Sequence, residues 1–221
     1  MPENADSRRE SRAIEPDLIQ NEQARAEAEA KNGLRQYDLG LTIAQSALER
    51  GVFKLRLSHV LALQREALAG ISLFAGNFRP GSVEISHSKH RPPEAHLVPE
   101  LVEQMCDYVN ENWARATAIH LASYLMWRLN WIHPFADGNG RTSRIVSYVV
   151  LTIRSGFILP GSPTIPDQIV SDRSGYFEAL DKADAAWRET GGADVSAMER
   201  LLGAMLARQL TAFYESVGGK I

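Results

Sequence analysis

The sequence contains a single cysteine, Cys106, so no disulfide bond can form within the chain. One isolated thiol among apolar neighbours is typical of a reducing compartment, and we expect Cys106 to be an unreactive core residue. No apolar run approaches the roughly 20 residues that a membrane-spanning helix needs, and none follows the polar residues 1–12 as it would in a signal peptide. We therefore expect a cytoplasmic protein without membrane association.

An excess of positive charge is also missing. The formal net charge of −3 gives no general attraction for nucleic acids or anionic membranes. Hydrophobic residues make up 44% and charged residues 23% of the 221 residues, as in a soluble globular protein with one sizeable core. We expect no nucleic-acid partner.

Strand signals are almost absent. Only residues 78–87 alternate apolar and polar side chains, around the turn pair Pro80-Gly81, and this pattern predicts a short β-hairpin. Elsewhere apolar residues recur at intervals of three and four, which predicts helices. The expected helices are 16–31, 34–50, 58–70, 99–113, 118–131, 139–154, 172–190 and 195–214. The break between the first two is placed at Asn32-Gly33, and residues 160–166 are expected to be a loop.

The most informative stretch is HPFADGNGRTSR, residues 133–144, which lies between two apolar helical segments. Pro134 disfavours helical geometry at His133, so the preceding helix should end there. Gly138 and Gly140 permit positive φ and a close approach of the backbone to a ligand. A glycine-rich turn that opens a helix directs N–H groups and the positive end of the helix dipole at one point. The stretch therefore predicts an anion-binding site.

Side chains suited to phosphate chemistry surround this turn. His133 can act as a base, Asp137 offers a hard carboxylate and Asn139 supplies an amide. Arg141 and Arg144 lie on one helix face, and planar guanidinium groups match phosphate oxygens better than lysine does. A carboxylate beside a polyphosphate suits magnesium, which shares its oxygen ligands with substrate phosphates. A plain helix–loop–helix turn would need neither the histidine nor the paired arginines.

The stretch resembles the signature of Fic-domain proteins of the Fic/Doc superfamily, HPFx(D/E)GNGRxxR, with every defining position filled. The resemblance covers residues 55–190 and implies an all-α, Fic-like helical bundle with one short β-hairpin flap. The remaining chain would be a disordered tail at residues 1–12, a helical extension at residues 13–54, and a C-terminal helix within residues 191–221 that packs on the core.

The resemblance implies a protein adenylyltransferase, which transfers AMP from ATP to a serine, threonine or tyrosine hydroxyl and releases pyrophosphate. His133 would take the proton from the attacking hydroxyl, and Asp137 would hold Mg²⁺. The residues implied in binding the ATP phosphates are Gly138, Asn139, Gly140, Arg141 and Arg144. The adenine would stack on Tyr176 or Phe177, although core packing explains Phe177 equally well.

The resemblance also implies that the predicted hairpin is a flap that docks the target protein. An extended target segment would add to its edge through backbone hydrogen bonds, a mode of binding that tolerates varied target sequences. The flap residues would be Val83, Glu84, Ile85, Ser86 and His87. The spacing of His87, His90 and His96 matches no standard zinc pattern, so we expect ordinary loop histidines.

Regulation stays open at this point. Many Fic proteins are restrained by a helix with the motif (S/T)xxxE(G/N), whose glutamate pairs with the second motif arginine, here Arg144. The nearest approximation is residues 27–33, where Lys31 occupies the glutamate position. Restraint could come from a separate inhibitory protein, from Glu27 or Glu29 in an altered register, or be absent.

Two other functions are compatible with the same residues. The first is a Fic enzyme with another diphosphate-containing donor, such as UTP, GTP or CDP-choline, because a phosphate grip does not select the base. The second is a non-catalytic module that retains the hairpin to bind peptide. The intact pair of His133 and Asp137 argues against the second.

Overall fold

The computed structural model describes residue 9 and residues 18–219. Within that part of the chain there are eight α-helices: α1 (Glu22–Arg50), α2 (Leu57–Leu68), α3 (Val98–Glu111), α4 (Ala118–Ile132), α5 (Asn139–Ser155), α6 (Ile165–Ser171), α7 (Ser174–Thr190) and α8 (Ser196–Ser216). A short 3-10 helix, Ala95–Leu97, precedes α3. The predicted all-α class is confirmed. The expected tail at residues 1–12 lies, apart from residue 9, outside the described residues.

Helices α4 and α5 form the centre of the bundle and make its most extensive helix–helix contact. Helix α4 begins where Thr117 Oγ1 accepts a hydrogen bond from the N–H of His120 (3.1 Å), as an N-cap does. It is apolar on nearly all sides, as expected for a central helix, and Trp127 is fully buried. The hydroxyl of Ser147 on α5 donates to the carbonyl of Ala122 (2.6 Å), which ties the two helices together.

Helix α1 runs without interruption through Asn32 and Gly33, so the predicted helix end at these residues is wrong. The buried side chain of Asn32 donates to the carbonyls of Ala67 (3.4 Å) and Ala69 (2.8 Å) at the end of α2. An asparagine favours a helix end when its side chain bonds its own backbone. Here the side chain is committed to another helix, so tertiary packing outweighs the local preference for a stop.

Close packing places α1 against the central pair. A β-carbon at Gly40 would lie 3.1 Å from side-chain atoms of both Ile145 and Val149 on α5. The missing side chain therefore allows the two helix axes to approach closely. Ala44 and Ala47 are buried in the same core one and two turns further on. The N-terminal half of α1 consequently runs past the loop that precedes α5.

The predicted hairpin is not found, since no strand occurs between residues 18 and 219. Residues 78–94 instead follow an extended, irregular path with a turn at Ser86 and His87. The alternation that predicted a strand survives in the burial pattern, because Val83 is buried whereas Glu84 and Ser86 are exposed. A ribbon requires a hydrogen-bonded neighbouring strand, and the described chain provides none.

The loop predicted at residues 160–166 is found only at residues 160–164, because Ile165 and Pro166 already belong to α6. The helix begins with a capping box: Asp167 N–H donates to Thr164 Oγ1 (3.4 Å), and Thr164 N–H donates to Asp167 Oδ2 (2.9 Å). The sequence carries this start signal, but Pro163 and Pro166 beside it favour a loop interpretation. Helix α6 forms part of the wall of the cavity described below.

Helix α8 completes the core, since Met198, Leu202 and Met205 are buried. Its apolar stripe is therefore packed within the protein. Cys106 is also buried, and burial raises the pKa of its thiol to about 12, which agrees with an unreactive core cysteine. Among the described residues, no helix is both long and apolar enough to cross a membrane.

Candidate active site

The motif loop connects α4 to α5 through two residues with positive φ. His133 closes α4 with φ +52°, and its N–H donates to the carbonyl of Leu129 (2.9 Å). Gly138 precedes α5 with φ +80°. A β-carbon at Gly138 would lie 2.4 Å from Cδ2 of Leu68, so both the backbone conformation and the available space require glycine. The turn that the sequence predicted is present and tightly packed.

Asn139 holds this loop closed. Its Oδ1 accepts from the N–H of Phe135 (2.9 Å), and its Nδ2 donates to the carbonyl of Phe135 (2.8 Å). Phe135 is fully buried, so these bonds satisfy two backbone groups that water cannot reach. The sequence predicted that Asn139 binds the phosphates. In the structure, both the oxygen and the nitrogen of its carboxamide form hydrogen bonds with the loop backbone. The first backbone N–H groups of α5 remain as anion donors.

A cavity of about 1090 Å³ opens over this loop. Its walls come from the N-terminal half of α1, the motif loop, α6, and the start of α7. It brings together these residues that the sequence predicted for the site: His133, Asp137, Gly138, Asn139, Gly140, Arg141, Arg144, Tyr176 and Phe177. Of the expected flap residues, Ile85 lines the cavity and Val83 is buried elsewhere in the core. Glu84, Ser86 and His87 are not among the residues that line it.

His133 is buried, with 6% of its surface exposed. Its Nδ1 lies 3.2 Å from the carbonyl oxygen of Asn130, which can only accept a hydrogen bond. Nδ1 must therefore carry the proton, and Nε2 is the basic nitrogen of the neutral ring. Burial lowers the pKa of His133 to about 4, and the nearby charges of His90 and Arg79 act in the same direction. The imidazole is thus neutral at pH 7 and able to accept a proton.

Four charged side chains form a closed ring between α1 and the motif loop. Asp137 Oδ2 lies 2.9 Å from Nη2 of Arg141 and 3.7 Å from Nη2 of Arg25. Glu29 Oε1 lies 3.3 Å from Nε of Arg25 and 3.7 Å from Nη1 of Arg141. All four side chains are partly exposed, so each contact contributes little to stability. Their importance is positional, because α1 touches two predicted site residues.

Arg144 has a different environment. Among the described residues, no carboxylate forms an ion pair with it, although it lies in the cavity wall beside Arg141 and Arg173. Loss of water around the guanidinium lowers the pKa of Arg144, and the neighbouring Tyr176 acts in the opposite direction. A cation that is partly removed from water needs a counter-charge. Half-buried Arg144 lines the cavity, where an anion would supply that charge. Arg173, at the start of α7, was missed because a lone arginine carries no sequence signal.

The two aromatic residues predicted to stack on the adenine lie in the cavity wall, but their rings differ in burial and in the groups that they contact. Tyr176 is buried, and its hydroxyl accepts from Nδ2 of Asn130 (2.8 Å). Phe177 is half-buried, and the guanidinium of Arg9 lies 4.7 Å from the centre of its ring. Arg9 in turn pairs with Asp181 (2.6 Å). A base stacking on Phe177 would have to share this face with Arg9 or displace it.

The metal-binding options are few. Among the described residues, no group of three or more histidine, cysteine and acidic side chains could hold a metal ion. His90 instead bonds the carbonyl of Trp131 (2.7 Å) and lies 3.7 Å from Asp184. Asp137, the carboxylate of the motif loop on the cavity wall, fits Mg²⁺, because this ion takes most of its ligands from water and substrate phosphates.

Together, fold and loop define an all-helical protein in which the glycine turn before α5, Arg144 and a neutral His133 line one cavity. The family model described as Fic/DOC matches residues 54–151. Residues 54–151 of this chain are therefore similar to the Fic/DOC family, and the matched residues include the site loop.

Curated relatives carry enzyme names. Protein adenylyltransferase Fic of Nematostella vectensis is 30% identical over 156 residues, which are 66% of this chain and 33% of that protein. Protein adenylyltransferase fic-1 of Caenorhabditis briggsae is 29% identical over 144 residues, 63% of this chain and 26% of that protein. The chain therefore spans about a third of the length of the curated relatives it matches, or less.

Solved structures share the fold at lower identity. A Fic domain containing signaling protein from Bacteroides thetaiotaomicron superposes with a TM-score of 0.68 at 22% identity, covering 86% of this chain and 74% of that one. Fic-1 from C. elegans gives a TM-score of 0.65 at 22% identity, covering 90% of this chain and 55% of that one. The shared fold thus extends beyond residues 54–151 to the flanking helices.

The burial of neutral His133 predicts a loss of stability as the pH falls. The unfolded chain takes up this proton near pH 6.5, whereas the folded protein resists it down to about pH 4. The unfolded state therefore binds more protons in this window, and the stabilisation is present above pH 6.5 and lost toward pH 4. We expect the free energy of unfolding to fall by roughly 1–2 kcal/mol more from pH 7 to pH 5 in the parent than in His133→Gln. Urea unfolding at both pH values measures this, and an equal pH dependence would contradict the burial of a neutral ring.

Proposed function

We propose that this chain is a protein adenylyltransferase, which transfers AMP from ATP to a serine, threonine or tyrosine hydroxyl of a target protein and releases pyrophosphate. The observation that carries the proposal is a buried, neutral His133 beside an anion site whose Arg144 has no ion-pair partner in the described chain. The enzyme names of the curated relatives support the same reaction.

His133 acts as the general base. Its Nε2 accepts the proton of the target hydroxyl while the hydroxyl oxygen forms a bond to the α-phosphorus of ATP. The bond from that phosphorus to the oxygen that bridges to the β-phosphate breaks, and pyrophosphate leaves. The bond from Nδ1–H to the carbonyl of Asn130 supports this role, because it selects the tautomer and fixes the ring plane.

The phosphates bind at the start of α5. Backbone N–H groups of Asn139 and Gly140 meet the α- and β-phosphates, and the helix dipole adds attraction. Gly138 contributes the turn, since its own N–H donates to Asp137 Oδ1. Arg141 and Arg144 bind the β- and γ-phosphates, which carry the leaving charge. Asp137 would hold Mg²⁺, which when bound would neutralise phosphate charge. Asp137 Oδ2 would then exchange its contacts with Arg141 (2.9 Å) and Arg25 (3.7 Å) for the metal.

The decisive experiment supplies labelled ATP and a cell lysate and identifies the modified proteins by mass spectrometry. His133→Ala should lower transfer by about 100- to 10,000-fold, because a general base is removed. Binding of ATP, measured by calorimetry, should persist since the phosphate contacts remain. His96→Ala is the matched control, because His96 is exposed. Transfer that survives in His133→Ala would overturn the assignment of the base.

The same assay separates the alternatives. Labelled UTP, GTP or CDP-choline that modifies proteins where ATP does not would identify a Fic enzyme with another donor. Absence of transfer from every donor, combined with retained peptide binding, would identify a non-catalytic module. The cavity wall favours a purine or pyrimidine base equally, because both can stack on an aromatic ring.

For the target protein, we propose docking along residues 83–85. Among the described residues, the backbone N–H and C=O groups of this stretch have no hydrogen-bond partner. The stretch has no regular secondary structure, its side chains alternate in exposure, and Ile85 lines the cavity that contains His133. Unpaired backbone at the wall of this cavity suits strand addition, in which main-chain bonds hold the target and side chains add modest selectivity.

Ile85→Pro tests this docking, because it removes one N–H that an added strand would need. Transfer onto a target protein should fall sharply, whereas thermal stabilisation by ATP and magnesium should persist. Ile85→Val is the control, since it keeps the N–H and most of the side chain. Loss of both transfer and nucleotide binding would show that the segment supports the fold, and unchanged labelling would place docking elsewhere.

For regulation, we propose that α1 restrains the site through Glu29. The sequence pattern suggested a partner for Arg144, but the contact of Glu29 is with Arg141 at 3.7 Å. Arg25 on the same helix competes for Asp137. Binding of nucleotide and metal would require Arg141 and Asp137 to leave their ion pairs. The ring of four charged side chains therefore opposes the binding of both ligands. The separate inhibitory protein left open by the sequence is not needed for such restraint.

Glu29→Gln removes the negative charge that holds Arg141. We expect Mg²⁺–ATP to bind roughly two- to fivefold more tightly, the size that corresponds to one partly exposed ion pair. Calorimetry of the purified protein measures this. Glu27→Gln is the matched control, since Glu27 is exposed on the same helix and, within the described part of the chain, bonds only Gln23. Weaker binding in Glu29→Gln would mean that Glu29 supports the site and does not restrain it.

A further inference from the structure

Arg79 joins the two ends of the extended segment to the motif loop. Its side chain is buried, with 3% of its surface exposed. Nη1 donates to the carbonyl of Gly81 (2.7 Å), Nη2 donates to the carbonyl of Pro93, and Nε donates to the carbonyl of His133 (2.8 Å). The backbone N–H of Arg79 also donates to the carbonyl of Pro134 (2.9 Å). One residue therefore contacts the start and the end of the segment and the backbone of the proposed base.

The choice of arginine has a physical reason. A planar guanidinium presents five donors in a fixed arrangement, and hydrogen bonds from a charged donor are stronger than those between neutral groups. The carbonyl of His133 belongs to the C-terminal end of α4, where the helix dipole favours a cation. The guanidinium of Arg79 donates to three acceptors, all of them backbone carbonyls. Its charge is therefore solvated by the backbone of the two segments that it joins.

The bond to His133 also has a conformational consequence. His133 has φ +52°, a conformation that residues other than glycine adopt rarely. Such a conformation persists where the surroundings fix it. Arg79 bonds the carbonyl of His133, and the N–H of His133 bonds the carbonyl of Leu129. These two bonds fix the backbone on both sides of the His133 side chain. The direction in which the imidazole leaves the backbone follows from them.

We propose that Arg79 is a positioning residue that couples the docking segment to the base, holding residues 81–93 closed and His133 in its orientation. The kinetic part of this inference rests on the proposed function, and the structural part does not. It differs from the role of Arg128, another buried arginine, whose guanidinium stacks between Trp131 (4.3 Å) and Trp187 (4.5 Å). Arg128 fills the core, whereas Arg79 connects two functional segments.

Limited trypsin digestion tests the structural part. Lys89 is exposed within the segment, and both Arg79 and Arg91 precede proline, before which trypsin does not cut. Substitution of either arginine thus leaves the tryptic sites of this region unchanged. Arg79→Lys and Arg79→Met should accelerate cleavage after Lys89 by about tenfold or more, because opening becomes easier when charged hydrogen bonds are lost. Arg91→Met, at an exposed position of the same segment, should leave the rate unchanged.

Titration of the His133 ring by NMR tests the connection to the base. His90, Arg79 and Asp137 are the charged or titratable groups that act on it. Removal of the positive charge in Arg79→Met should raise the pKa of His133, whereas Arg79→Lys should keep it low. If Arg79 only stabilised the fold, the pKa of His133 would not differ between Arg79→Met and Arg79→Lys in this way. If Arg79→Met does not fold, Arg79→Lys decides through digestion and kinetics.

Kinetics completes the experiment. Arg79→Lys should lower kcat for transfer about 10- to 100-fold, the cost of a small misplacement of a catalytic group, with unchanged affinity for ATP. Digestion after Lys89 at the parent rate, or kcat equal to the parent, would overturn the inference. If the parent itself transfers no nucleotide, the proposed function fails, and digestion and titration still decide the role of Arg79.

Discussion

The site depends first on the two hydrogen bonds between the Asn139 carboxamide and the backbone of Phe135. Phe135 is fully buried, and a buried peptide group without partners costs about 1–3 kcal/mol per unsatisfied atom. Because Asn139 supplies both partners, the chain can turn inside the core between α4 and α5. His133, Asp137 and Gly138 then project from fixed points of one short loop, and the start of α5 faces the cavity.

Burial next determines the electrostatics of that loop. The pKa of His133 is lowered because water is excluded around it, so the ring is neutral and basic at physiological pH. Burial also acts on Arg144, but a guanidinium keeps its charge at any physiological pH. A neutral imidazole and a persistent cation therefore line the same cavity. This combination suits the attack of a hydroxyl on a polyphosphate, because proton acceptance and anion binding do not compete for one residue.

Two segments outside the motif are connected to the motif loop by ion pairs and hydrogen bonds. Helix α1 carries Arg25 and Glu29 to Asp137 and Arg141, so the resting site is closed by ion pairs. Residues 81–93 are fastened to the same loop by Arg79. In the proposed reaction, nucleotide and target would therefore reach His133 past two different elements. Because α1 and residues 81–93 are attached to the motif loop by different contacts, a substitution in one segment can change the binding of nucleotide or of target separately. The proposed variants use this separation.

The sequence by itself determined the all-α class, most helix ranges and the loop at residues 133–144, because helix periodicity and the constraints of glycine and proline are local. The tertiary structure alone decided the continuity of α1 through Asn32, the irregular path of residues 78–94 and the bonding of Asn139. It also selected Arg141 as the partner of Glu29 and joined Arg79 to His133, which is 54 residues away. These outcomes depend on contacts between distant segments, and a local pattern contains no information about which distant carbonyl or carboxylate will be within reach.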